Sequence, residues 1–275
     1  MPGRNARDFA AELCAAELDG SSADLPTERF PHFDWPDARH IARERDALRR
    51  SGGDEQIGYK LGWTSAAMRE ALGIDQPNWG TLWRSQQCDG QLDLTRLRHP
   101  KAEPELVFVA GEDLQGPNMI ADDVLASAVG WAIGIEVVHP RFESYDFTWL
   151  DNTADNSSAG AIATGPVSSI ANDPSAAEVR FSNGLEERTG SGEQAMGSPA
   201  AAVAWLVHQL HEEGKRLRAG EIVYTGGLTA PFDVTGESKL TAQCPDLGSV
   251  QISISRNSER APDDPNDSPS PRRKW

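Results

Sequence analysis

The 275-residue chain holds only three cysteines, Cys14, Cys88 and Cys244, far apart and in no C-x-x-C pair. That excludes a disulfide framework and argues against a zinc site, and a reducing cytoplasm is the expected compartment. Basic residues are outnumbered: 26 Lys and Arg stand against 42 Asp and Glu, a formal charge of −16. Nucleic acid and anionic membranes call for basic patches, so neither is an expected partner. No apolar run approaches the roughly 18 residues of a membrane span. The opening "MPGRNARDFAAELCAAELDG" lacks the apolar core of a signal peptide and reads as an amphipathic helix. There is no Walker loop, no G-x-G-x-x-G after a strand and no nucleophile elbow. No repeat of solenoid or propeller period occurs either. What is left is a chain long enough to bury a sizeable core, with a charge suited to small molecules and to a bound cation.

Phe9, Leu13 and Leu18 stand at nearly helical spacing over residues 6–19. Asp34 ahead of Pro36 starts a second helix that Gly52 and Gly53 end. "QIGYKLG" (56–62) alternates as a strand, and "SAAMREALG" is a short helix capped by Gly73. Beyond residue 100, strands are expected near 103–110, 132–138, 159–164, 177–182, 221–225, 237–243 and 249–255. Helices are expected over 121–129 and 199–213. "KLTAQCPDLGSVQISI" has the form of a hairpin around Pro-Asp-Leu-Gly. Several hairpins and few strand–helix–strand units predict an α+β fold with a mixed, largely antiparallel core. The expected division is a mainly helical N-terminal part with one strand (1–75), a β-rich core (76–257) and a disordered tail (258–275). A loose Trp275 is expected with that tail.

In "KAEPELVFV" (101–109), Glu103 and Glu105 are two apart on a strand and so share a face. Charged pairs at a strand start are ordinarily a solvated, aggregation-resistant edge. The alternative is a cation between them, because like charges a few Å apart need compensation to stay ionised. Glu136, 31 residues after Glu105, lies inside the apolar strand "WAIGIEVV", where a carboxylate is costly unless protonated or paired. It fits an edge strand or a local ion pair as well as a ligand. Three carboxylates completed by water suit an octahedral Mg²⁺, Mn²⁺ or Ca²⁺.

Lys60 in "GYKLG" has glycines on both sides that allow close approach, although strand lysines usually reach to solvent. "DNTADNSSAG" (151–160) is a polar run that reads as a loop, and the paired glycines of "YTGGLTAPF" (224–232) could present N–H groups to an anion. His208 and His211 lack the H-E-x-x-H frame, while His99 and His139 each precede a proline and read as structural.

Taken in order, "GYKLGWTS", "GIDQPNWGTL", "HPKAEPELVFV", "IGIEVVHPRFESYDF", "ADNSSAG" and the "DLGSV" hairpin resemble the fumarylacetoacetate hydrolase superfamily. Within it they resemble the hydratase/decarboxylase branch of aromatic meta-cleavage pathways, over residues 5–255. The resemblance implies the superfamily's C-terminal-domain type of β core and a cytoplasmic enzyme. It also implies a Mg²⁺ or Mn²⁺ held by Glu103, Glu105 and Glu136, with Lys60 as a functional lysine. Asn78 is expected as a catalytic residue that orients the substrate by hydrogen bonds, and Asp155, Asn156, Ser158, Gly227 and Thr229 are expected to bind it. The implied substrate is a small 2-oxo acid, and the implied partners are further copies of the chain or a related hydratase or decarboxylase.

"HPKAEPELVFV", "LQGPNMIADDVLAS" and "PRFESYDFTWLDNTADNSSA" look more like the decarboxylases. Hydratases of this branch tend to carry Asp where this chain has Asn78, and an amide cannot exchange a proton as a carboxylate does. The expectation is a metal-dependent decarboxylase of an unsaturated 2-oxo dicarboxylic acid of the 2-oxo-3-hexenedioate type, through a metal-stabilised dienolate. A 2-hydroxypenta-2,4-dienoate hydratase is the alternative, and an inactive scaffold partner is the non-enzymatic one. "GWTS" and "AGAIATG" are unusual for the decarboxylases.

Overall fold

Residues 3–170 and 172–256 are described by a computed structural model. The expected tail and Trp275 lie outside the described residues. The chain begins with α1 (Gly3–Asp19), a single turn α2 (Pro26–Arg29) and α3 (Trp35–Ser51). The Asp34 side chain accepts from Asp37 N, and Pro36 fills the first turn of α3, where no amide partner is needed. Phe9, Leu13, Ile41 and Leu48 pack between α1 and α3 and close over Phe142 and Ala154.

The main sheet is built from β1 (Gln56–Gly62), β2 (Asn78–Trp83), β4 (Lys101–Ala110), β5 (Ala128–Val138), β6 (Ala159–Thr164), β9 (Ile222–Tyr224) and β10 (Phe232–Asp233). Its order is β2-β1-β9-β4-β5-β6, with β10 paired to β4. Among the described residues, β1 and β9 are the one parallel strand pair of this sheet. The sheet curls until Gln87 bridges Ile162 of β6. A second sheet has the order β3-β12-β11-β7-β8, from β3 (Gln91–Asp93), β7 (Glu178–Ser182), β8 (Glu187–Ser191), β11 (Ser238–Cys244) and β12 (Gly248–Ser255). Short helices α4 (Ala66–Leu72), α5 (Ala121–Ala126) and α6 (Trp149–Ala154), with the longer α7 (Pro199–Glu212), complete the chain.

Alternation along β4 and β5 divides the core. Leu106, Phe108, Trp131, Ile133 and Ile135 face the second sheet and α7, meeting Phe181, Leu240, Ile252, Val203 and Leu206. Each side chain of this size contributes about 2–3 kcal/mol on burial. The opposite parity (Val107, Ala132, Ile162, Tyr224, Ile57 and Leu82) lines the inside of the curl. The candidate site lies at one end of that inner face.

The expected α+β fold with a largely antiparallel core is the fold observed. The boundary expected near residue 75 falls between β1 and β2, which pair antiparallel within one sheet. The polar run read as a loop instead carries α6 and a 3₁₀ turn over Asn156–Ser158. Thr148 and Asp151 cap α6 reciprocally, so its start is encoded by capping rather than by apolar periodicity. Strands β2, β3, β8 and β10 have too few residues or too little alternation to read from sequence. Among the described residues, no helix is long and apolar enough to cross a membrane.

Candidate active site

The β4–β5 register sets Glu103 directly opposite Glu136 and Glu105 opposite Gly134. Paired residues of an antiparallel ladder share a face, so all three carboxylates point into the curl. One oxygen from each lies within 4.8 Å of the others. Glu105 and Glu136 are fully buried and Glu103 is half-buried. Glycines make the room: a Cβ on Gly134 would meet the Tyr224 ring at 2.7 Å, and one on Gly227 would meet the Glu103 carboxyl at 2.8 Å.

The polar balance of this cluster is incomplete. Gly226 N donates to Glu105 Oε2 at 2.7 Å, so the paired glycines do present an N–H to an anion, and that anion is Glu105. Glu105 Oε1 and both oxygens of Glu136 accept no hydrogen bond, although Lys60 Nζ lies 3.0 Å from Glu136 Oε2 as an ion pair. Burial and the neighbouring Glu136 push the Glu103 carboxyl up to about 7. The same two causes push Glu105 well above the usual carboxylate range. Buried acceptors left without donors cost free energy unless a cation completes them. An all-oxygen set of this kind fits Mg²⁺ or Mn²⁺.

Lys60, on β1, reaches the cluster because its strand is joined to β4 through β9. Its ammonium also donates to Ser157 O at 2.9 Å and Ser157 Oγ at 3.2 Å. Ser157 Oγ donates to Asn78 Oδ1, and Asn78 Nδ2 donates to Asn152 Oδ1 and Thr153 Oγ1, at 2.8–3.0 Å. All three hydrogen bonds of the Asn78 amide are thus made inside the protein. A Cβ on Gly62 would lie 2.4 Å from both Asn78 Oδ1 and Ser157 Oγ, so glycine is required where β1 passes this network.

Ser157 belongs to a turn in which Asn156, Ser157 and Ser158 have φ of 55°, 53° and 54°. Left-handed backbone at three consecutive non-glycine residues is costly and persists only under constraint. The constraint is visible. Asn156 pairs through its side chain with both backbone groups of Thr81, at 2.8 and 2.9 Å. Asp155 accepts from Arg141 Nε at 2.6 Å, with both side chains fully buried. Of the expected substrate-binding residues, only Ser158 lines the pocket; Asp155 and Asn156 brace the turn beneath it. Gly227 packs on Glu103, and Thr229 Oγ1 donates to Ala230 O away from the pocket.

The pocket at the cluster, about 140 Å³, is lined by the polar Lys60, Glu103, Asn152, Ser157 and Ser158 and by the apolar or aromatic Trp63, Met68, Val138, Tyr145 and Phe147. Sequence reasoning missed Trp63, Asn152, Ser157 and the apolar part of the lining. Asn152 and Ser157 were within reach as members of the polar run, but the apolar lining comes from three separate segments, Trp63 with Met68, Val138, and Tyr145 with Phe147, and has no local signal.

No protein-family model matches the chain. It is 35% identical over 209 residues to a 2-hydroxyhexa-2,4-dienoate hydratase of Comamonas testosteroni, covering 74% of this chain and 79% of that one. It is 31% identical over 247 residues to a 4-oxalocrotonate decarboxylase of Pseudomonas sp. (strain CF600), covering 88% and 94%. Among solved structures, the 4-oxalocrotonate decarboxylase from Pseudomonas putida G7, complexed with magnesium and adipate, superposes with a TM-score of 0.88 at 29% identity. That likeness covers 92% of this chain and 98% of the other. With the motif order, the sheet and these relatives in agreement, the chain belongs to the hydratase/decarboxylase branch of the fumarylacetoacetate hydrolase superfamily, and so to the lyases.

Proposed function

We propose that the protein is a divalent-metal-dependent decarboxylase of an unsaturated 2-oxo dicarboxylic acid of the 2-oxo-3-hexenedioate type. The observation that carries this reading is the mixed lining of the pocket. Glu103, with Glu105 and Glu136 buried within reach of it, and the Lys60 ammonium share that pocket with aromatic and aliphatic side chains. Glu103, Glu105 and Glu136 are the residues to hold the ion. A bound Mg²⁺ or Mn²⁺ supplies Lewis acidity toward the keto acid end of the substrate.

The six-carbon dicarboxylate adipate occupies the Pseudomonas putida G7 decarboxylase together with magnesium, which supports a substrate of that length here. With the keto acid end at the carboxylate cluster, the distal carboxylate would lie toward the apolar part of the lining, Met68, Val138, Tyr145 and Phe147. An apolar wall penalises an ionised carboxylate and not the neutral CO₂ it becomes. As the C5–C6 bond breaks, its electron pair moves through the conjugated chain to the C2 oxygen. Lys60 holds an ammonium proton at Nζ beside that end of the pocket and offsets the developing negative charge. Asn78, Ser157 and Asn152 keep Lys60 in place by hydrogen bonds and exchange no proton.

Water addition to a dienoate would use the same carboxylate cluster, and a hydratase is among the relatives. Asn78 favours decarboxylation, since its amide is fully bonded and has no proton to give. The test supplies purified protein and Mg²⁺ with 2-oxo-3-hexenedioate or with 2-hydroxypenta-2,4-dienoate. CO₂ from the first with the second unchanged supports the reading. Loss of the diene without CO₂ makes the protein a hydratase.

A further inference from the structure

Trp63 links β1 to α4 in a conformation that a bulky residue rarely adopts, with φ of 58°. Two contacts hold it there. Arg69 Nη1 donates to the carbonyls of Trp63 and Thr64 at 2.7 and 2.8 Å, fixing the backbone. The Trp63 indole Nε1 donates to Asn152 Oδ1 at 2.9 Å, fixing the side chain against the pocket. The strain marks the residue as one whose position matters.

We propose that Trp63 is a positioning residue of the active site. Its indole N–H fixes which end of the Asn152 amide faces inward and, through Asn78 and Ser157, the place of the Lys60 ammonium. The proposal rests on the reading of this pocket as the catalytic one. An indole nitrogen only donates, so Asn152 has to present its oxygen. The same oxygen accepts from Asn78 Nδ2, which turns Asn78 Oδ1 toward the Ser157 hydroxyl. Ser157, with its proton spent on Asn78, is left to accept from Lys60. Donor and acceptor roles therefore run one way from Lys60 to Asn152.

Thr153 holds the inner half of this chain, because its hydroxyl donates to Trp149 O and can only accept from Asn78. The outer half depends on Trp63. The other partner of Asn152 is the Ser158 hydroxyl, which accepts from Nδ2 at 2.8 Å and donates to Asp155 Oδ2 over 3.5 Å, a long bond that sets the amide less firmly than the indole N–H, which can only donate. Without the indole N–H, a reversed Asn152 would set its NH₂ against that of Asn78 and strain the seat of Lys60.

The experiment replaces Trp63 with benzothienylalanine, which keeps the bicyclic ring and substitutes sulfur for the N–H, and separately makes Trp63→Phe. The expected result for both is a fall in kcat of about tenfold, a single hydrogen bond's worth, with KM within about twofold of wild type. Adding Asn152→Asp to Trp63→Phe gives that position acceptors only and is expected to recover most of the lost kcat. Wild-type kcat in the benzothienyl protein, loss confined to KM, or no recovery in the double variant would overturn the proposal. Turnover is measured with whichever of the two acids the wild type consumes. Should it consume neither, the functional reading fails and the indole proton decides the positioning role instead. In ¹⁵N-tryptophan-labelled protein, the signal that Trp63→Phe removes is expected to shift upfield in Asn152→Ala; an unmoved signal rejects the contact.

Discussion

Lys60 Nζ lies 3.0 Å from Glu136 Oε2, with both side chains almost entirely out of water. A buried ammonium against a buried carboxylate is a poor source of stability, because desolvation offsets most of the attraction. Its retention fits a functional part. Lys60→Met keeps the stem and removes the charge; the expected outcome is a folded protein with kcat lowered on the order of 100-fold. A steady-state assay beside circular dichroism tests this, and near-normal turnover would remove Lys60 from the mechanism.

Asn78→Asp probes the same network from its centre. The Asn152 oxygen that now accepts from Asn78 Nδ2 would face another acceptor. A buried mismatch of this kind costs roughly 1–3 kcal/mol. Stability in urea is expected to fall by about that amount, and CO₂ release to fall with it. Unchanged stability together with new hydration of the diene would show that residue 78 selects the reaction.

How much of this was legible beforehand differs from residue to residue. Glu103 and Glu105 declared a shared face through strand alternation, and the register adds only that Glu136 stands opposite Glu103. Glu136 itself was conspicuous as a carboxylate inside an apolar strand. The hairpins supplied the fold class, and the motif order supplied the family. Asp155 and Asn156 were expected at the substrate, but their hydrogen bonds go to Arg141 and Thr81. Composition marks such a run as polar and cannot tell which of its members turn inward. Trp63 and Tyr145 come to line one pocket only after β1 and the chain beyond β5 are brought together, a long-range outcome with no local sequence pattern.

Acid should weaken the fold through the helical layer. Burial alone would raise the Glu17 carboxyl, but Arg49, Arg45 and Arg141 outweigh it and hold it down at about 2. A depressed folded value means stability that is present above the unfolded value, near 4.5, and lost as the pH falls toward 2. The amount is about 3 kcal/mol. His139, kept neutral by burial and by Arg141, titrates at about 3 and adds a loss in the same direction that begins below about 6.5. Glu103, raised to about 7, acts oppositely as the pH climbs from 4.5 in metal-free protein. Differences between wild type and variants cancel that contribution. In urea unfolding, Glu17→Gln is expected to flatten the decline between pH 4.5 and 2, and an unaltered slope would mean that its ion pairs contribute nothing.

Metal should stabilise the native chain, since the incomplete carboxylate set exists only when β4 and β5 are paired. At one hundred times its dissociation constant, an ion adds about 2.7 kcal/mol. For a chain of this size that corresponds to a rise in Tm of roughly 5 °C. Thermal unfolding with Mn²⁺ and Mg²⁺ should show the rise in wild type and its absence in Glu105→Gln. An equal rise in both proteins would place the ion elsewhere.

The most direct measurement is a titration of Mn²⁺ into metal-free protein during turnover of 2-oxo-3-hexenedioate, with CO₂ release and bound ion followed together. The account predicts that CO₂ release climbs from background and saturates as one ion binds per chain, with Glu105→Gln remaining at background. CO₂ release at full rate without metal, or one bound ion and no CO₂, would contradict it.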